Sequence, residues 1–159
     1  MTDQRIPEGF FPIAIPDQFV DLVGPYLCKP ETDGLRLGLM LEARHGNVMG
    51  VAHGGNLVTL ADMVMGVGSG YATGLFWPHP TITLNCDFVR GVRIGTWIEG
   101  KARITRRTQN FCFCSCDILA SGEVALAASG VFKVPELDRV PEAQRRQSAD
   151  FMARLKARI

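Results

Sequence analysis

The chain has 159 residues, 47% of them apolar, and a formal net charge of +1. That length suits one domain with a sizeable core. The near-neutral balance, with no basic stretch interleaved with aromatics, argues against a nucleic acid or an anionic membrane surface as partner.

Residues 1–16 are Pro-rich and aperiodic, and read as an N-terminal arm. They lack a basic segment followed by an apolar one, so no signal peptide is expected and a cytoplasmic location is. Asp17–Val23 reads as a short helix capped by Asp17 after Pro16 and ended by Gly24-Pro25. Leu35, Leu37, Leu39 and Leu41 then alternate with Arg36, Gly38, Met40 and Glu42, the period of a strand.

The next stretch, Asn47–Gly66, reads NVMGVAHGGNLVTLADMVMG. It predicts an almost wholly apolar helix starting near Gly55 or Asn56. The apolar run Leu57–Trp77 is long enough by count to span a bilayer. It holds Asp62 and four glycines, and no basic residue flanks it, so a buried helix followed by a loop over Gly68–Pro80 is expected instead.

Four strand-like runs follow. Ile82, Leu84, Cys86 and Phe88 alternate with Thr83, Asn85, Asp87 and Val89; Ile98, Ala102 and Ile104 alternate with Glu99, Lys101 and Arg103. Phe111–Ala120 and Val124–Val134 are apolar on both faces for most of their length, as central strands are. Ala120-Ser121-Gly122-Glu123 between them reads as a hairpin turn. From Pro141 a helical pattern places Ala149, Met152, Leu155 and Ile159 at spacings of three and four, with arginines and Lys156 on the other faces. That predicts an amphipathic helix packed on its own domain or on a second copy.

The expected fold class is α+β. A helix hydrophobic all round must be buried on nearly every side. A mostly antiparallel sheet curling around it would do so, its strands arriving consecutively through hairpins. The expected organisation is an arm at 1–16, a main domain at 17–134 and a helical extension at 135–159.

Three of the five cysteines fall in FCFCSCD, as Cys112, Cys114 and Cys116. On a strand, residues two apart project from one face at ~6.6 Å, too far and poorly directed for a disulfide. Zinc wants turn-spaced pairs and a fourth ligand. Buried, reduced thiols are expected, with no metal and no cofactor.

The glycines before the long helix let backbone approach a ligand closely and leave N–H groups unpaired at a positively polarised helix end. That suits a developing oxyanion. His53 orients the loop, contacts substrate or bonds to backbone; the sequence leaves all three open. An isolated carboxylate on an apolar helix is unfavourable unless paired or used, so Asp62 is a candidate general base, or a carboxylate that merely accepts hydrogen bonds from a strand. Eight helical residues rise ~12 Å, and reacting groups must sit at ~3 Å. If Gly54 and Asp62 act on one carbonyl, they must come from two antiparallel copies of the chain.

Asn47, then His53-Gly54-Gly55, then Asp62, together with Thr81–Arg90 (TITLNCDFVR), resembles the hotdog-fold acyl-CoA thioesterases of the PaaI-like (phenylacetate-pathway) subfamily. The resemblance runs from about Asp17 to Val134. It implies an antiparallel sheet wrapped around a long central helix, and a dimer or tetramer that hydrolyses acyl- or aryl-CoA thioesters. It implies Asp62 as nucleophile or general base, Gly54 and Gly55 N–H on the thioester carbonyl, Asn47 positioning carbonyl or water, and Thr81 near the attacking water. The chain departs from the family where many members have Arg-Pro and it has Arg90-Gly91. Arg90 and Arg93 are candidates for CoA phosphates. Two rivals remain: a hotdog hydratase or dehydratase, and a non-catalytic acyl-CoA-binding protein. Met63, Met65, Tyr71, Phe76 and Trp77 would line the acyl site or belong to core or interface, and the acyl group itself is not written in the sequence.

Overall fold

The computed structural model describes residues 6–13 and 18–159. Its elements are β1 (Phe11–Pro12), α1 (Gln18–Val23), β2 (Leu27–Glu31), β3 (Gly34–Met40), α2 (Gly54–Thr73), β4 (Thr81–Phe88), β5 (Trp97–Lys101), β6 (Arg103–Arg107), β7 (Phe111–Ala120), β8 (Glu123–Lys133) and α3 (Glu142–Lys156). The cap expected at Asp17 lies outside the described residues, as does half of the N-terminal arm.

The strands form one antiparallel sheet in the order β1-β2-β3-β5-β7-β8-β4, with β6 also on β7. Leu35, Leu37 and Leu39 turn inward. On the outer face Arg36 pairs with Glu31 at 2.9 Å and Glu99 at 3.2 Å, and Lys101 with Glu31 at 2.7 Å. The β7–β8 hairpin closes through Ser121 (φ 52°) and Gly122 (φ 81°), the left-handed pair that matches strand twist. β7 is central, as expected. It buries one face, Cys112 to Ala120, and leaves Phe113 on the other partly open.

α2 lies across the concave side of the sheet and corrects three expectations. It starts at Gly54, capped by His53. It runs through Gly68 and Gly70, where a loop was expected, and stops at Gly74 (φ 73°). A Cβ on Gly68 would sit 2.4 Å from that of Ala102, so this glycine permits close helix–sheet approach. Nor is α2 buried all round. Leu57, Leu60, Ala61, Val64, Met65 and Gly68 are buried, while Thr59, Asp62, Met63, Gly66 and Val67 on the other side are only half-buried.

Two further differences concern strands. The single run expected over Ile98–Ile104 breaks at Ala102 into β5 and β6, at the point where Ala102 meets Gly68. β2 was not expected, because Pro30 interrupts its pattern. Pro30 lies beyond the two-residue β1, at an edge position where proline is tolerated.

α3 packs on its own chain. Met152 and Leu155 join the core, and Phe151 meets Phe76 at 4.4 Å between centroids. Among the described residues no helix is long and apolar enough to cross a membrane.

Candidate active site

The loop leading into α2 is fixed by its own backbone. A short turn at Ala43–His45 places the His45 carbonyl to accept the His53 N–H at 2.8 Å, and Ala52 N–H reaches the Val92 carbonyl at 2.7 Å. Asn47, half-buried, holds the loop: its Oδ1 accepts from Met49 N–H at 2.9 Å and Val51 N–H at 3.4 Å. With Oδ1 engaged, the Nδ2 amide is the end left to meet a ligand.

His53 is the helix cap, and its Nδ1 accepts the Gly55 N–H at 3.0 Å. This separates the two glycines. Gly55 N–H is occupied by the imidazole, whereas Gly54 N–H has no partner among the described residues. Phe88, at the end of β4, lies over Gly54, where an added Cβ would stand 3.0 Å from the ring. The single open N–H at the head of α2 is therefore Gly54's, on a residue where a side chain would be crowded.

Asp62, two turns on, is half-buried. Its Oδ1 accepts the Thr81 hydroxyl at 2.6 Å, so the first residue of β4 and the middle of α2 meet in one chain. Its neighbour Cys86 is held as a thiol: burial pushes that group up, and the Asp87 and Asp62 carboxylates add to the effect. Gly54 and Asp62 share one helix and stand eight residues apart, ~12 Å along its axis.

Arg90 does not point freely into solvent. Its guanidinium donates to the Ala120 carbonyl and pairs with Glu123 at 3.3 Å, tying it to the β7–β8 hairpin. Val51 bridges Arg93, which keeps that segment beside the motif loop. The three clustered thiols face the core. Cys114 Sγ lies 3.8 Å from Ser69 Oγ, and Cys116 Sγ 3.9 Å from the Ala61 carbonyl. Burial raises the Cys116 thiol to about 12.

Sequence reasoning missed three residues of this region: Phe88 as the cover on Gly54, His45 beneath the loop, and Asn56 on the first turn of α2. Their signal is spatial. Only the imidazole of His45, eight residues before His53, could have drawn notice in the sequence.

Known proteins resemble this chain in sequence and in shape. Residues 49–127 match the sequence profile of the thioesterase superfamily. A Pseudomonas aeruginosa protein named "Putative esterase PA0474" is 34% identical over 132 residues, covering 82% of this chain and 98% of the relative. An Asn-to-Asp mutant of the phenylacetic acid degradation protein PaaI from Thermus thermophilus superposes with a TM-score of 0.62 at 21% identity, covering 74% of this chain and all of that one. A hypothetical thioesterase from Streptococcus pneumoniae, solved with coenzyme A, gives 0.62 at 20% identity, covering 69% of this chain and 85% of its own. The sequence matches and the shared sheet around a central helix lead to one conclusion: the chain belongs to the thioesterase superfamily and has the hotdog fold.

Proposed function

We propose that the protein hydrolyses an acyl- or aryl-CoA thioester at a site shared by two antiparallel copies of the chain. The observation that carries this reading is the Thr81–Asp62 hydrogen bond at 2.6 Å, on the same helix whose head presents the open Gly54 N–H. The thioester carbonyl accepts from Gly54 N–H of one copy, with Asn47 Nδ2 alongside. Asp62 of the other copy takes a proton from water as the water oxygen attacks the carbonyl carbon, and the Thr81 hydroxyl fixes the carboxylate. The C–S bond then breaks, and the thiolate leaves as CoA. The good leaving group means a carboxylate and an oxyanion site suffice.

His53 serves this scheme as a positioning residue, since its ring holds Gly55 and shapes the helix start. Gly55 acts through the same cap, and Arg90 steadies the loop beside the site. The half-buried stripe of α2 supports the shared site. So does the outer edge of β4, which is unpaired among the described residues and carries exposed Ile82 and Phe88. A second copy laid along that edge would extend the sheet and bring the two α2 helices together.

The test is Asp62→Asn, nearly isosteric. On a panel of CoA thioesters, read by free-thiol release, it should lose roughly a hundredfold or more of kcat while keeping the wild-type oligomer. Unchanged kcat in the variant would contradict the assignment. Substrate consumption without thiol release would point to a hydratase or dehydratase, and saturable binding without turnover to a binding protein.

A further inference from the structure

Thr81 reaches Asp62 against the run of its own strand. Strict alternation would put Thr81 and Thr83 on one face of β4. Instead the register slips between them: Thr81 stands opposite Phe132 and Thr83 opposite Val131, with Ile82 as the extra residue. Phe132 is buried on the helix side of the sheet, where a Cβ added to Gly66 of α2 would stand 3.4 Å from its ring. A bulge of this kind re-aims a side chain. Here it turns the Thr81 hydroxyl onto α2, at 2.6 Å from Asp62 Oδ1.

The sheet alone therefore does not set that aim, and the chain just before Thr81 is held at three points. The Pro80 carbonyl accepts the Lys133 N–H at 2.8 Å, which joins the loop to β8. His79, buried, ties the loop to the end of α2. Its Nδ1 lies 2.7 Å from the Trp77 carbonyl and its Nε2 3.1 Å from the Thr73 hydroxyl. Burial lowers this group, outweighing the Trp77 carbonyl, and Arg107 adds to the lowering. The neutral ring thus donates from Nδ1 and accepts the Thr73 hydroxyl at Nε2. The third hold comes from α3. Buried Ser148 Oγ accepts the Phe76 N–H, and the Phe76 ring meets Phe151. α3 lies beyond residues 49–127, the stretch that matches the superfamily. A continuous path of bonded and packed groups nevertheless links it to Thr81.

Building on the thioesterase reading above, we propose that α3 and His79 clamp the loop between α2 and β4 and so fix the aim of the Thr81 hydroxyl at Asp62. Ser148 and His79 are positioning residues that act through Thr81. Small misplacements far from the chemistry slow a reaction whose groups must meet at ~3 Å. Because the clamp works through one hydrogen bond, its loss can slow turnover no more than the loss of that bond does.

The test is a double-mutant cycle on the full chain, with Ser148→Ala and Thr81→Val. Thiol release is followed on the fastest of phenylacetyl-, benzoyl-, butanoyl- and hexadecanoyl-CoA. Ser148→Ala alone should lower kcat about fivefold with KM within about twofold of wild type. In the Thr81→Val background it should change kcat by less than about twofold, because the bond it serves is already gone. His79→Phe, which keeps a ring and removes both bonds, should behave in the same way. A variant that merely loosens the fold lowers kcat by the same factor in both backgrounds, so the cycle separates positioning from stability. Wild-type kcat in Ser148→Ala overturns the clamp, whatever His79→Phe shows. An undiminished effect of Ser148→Ala in the Thr81→Val background also overturns it. In either case a large loss in Asp62→Asn leaves the hydrolase reading standing. No thiol release by the wild type from any of the four thioesters removes that reading, and the clamp with it.

Discussion

Asp62 is held from one side, by the Thr81 hydroxyl at 2.6 Å. In the proposed mechanism that bond aims the carboxylate. Thr81→Val keeps the shape of the side chain and removes the donor. It should lower kcat roughly tenfold with little change in KM, the signature of an interaction that matters in the transition state. Steady-state kinetics on the best thioester would show it, and Thr81→Ser should restore most of the rate. The motif residues were legible because their spacing is local: Asn47, the His-Gly-Gly and Asp62 lie within one short stretch. The inequality of the two glycines was not. It depends on which N–H the His53 ring reaches, and that is decided by the ring's rotamer. Likewise Phe88 reaches Gly54 only after β4 returns along the sheet.

At the scale of elements, periodicity revealed the central helix and most strands, and misjudged where some of them stop. Gly68 and Gly70 read as loop because glycine weakens an isolated helix; in the fold they let α2 approach the sheet. Gly68→Val should therefore destabilise the protein by about 1–3 kcal/mol through overpacking against Ala102, seen as a lower denaturation midpoint with an unchanged denaturant slope. β2 escaped notice because Pro30 and its charged neighbours hide an edge strand. Those charges carry a second prediction. Burial raises the Glu31 carboxyl, but hydrogen bonds and the charges of Arg36 and Lys101 overcome it and lower the group from the usual 4.5 to about 2. A depressed folded value stabilises above the unfolded value and is lost as pH falls through the folded one. The melting-temperature gap between wild type and Glu31→Gln should thus be full above about pH 5 and shrink toward pH 2.

For the whole molecule, one chain leaves its architecture half-finished. The sheet covers one face of α2 and leaves a stripe from Thr59 through Asp62 to Val67 only half-buried. The last strand, β4, ends the sheet with Ile82 at 54% and Phe88 at 58% exposure. The sequence suggested a helix buried on nearly every side, and that expectation describes what two copies would achieve together. The same stripe carries Asp62, so in the proposed mechanism the surface left open and the surface that meets the substrate carbonyl coincide. The ~12 Å between Gly54 and Asp62 on one helix is, in that mechanism, the reason two copies are needed. Subunit complementation tests this directly. Chains carrying Asp62→Asn are co-expressed with chains carrying Gly54→Pro, which removes the open N–H, and the mixed oligomer is assayed on CoA thioesters. Each variant alone should be nearly inactive. Random mixing should recover about a quarter of wild-type activity, because half the dimers are mixed and each mixed dimer holds one intact site. A mixture no more active than its parents, with mixed oligomers demonstrably formed, would contradict a site shared between copies.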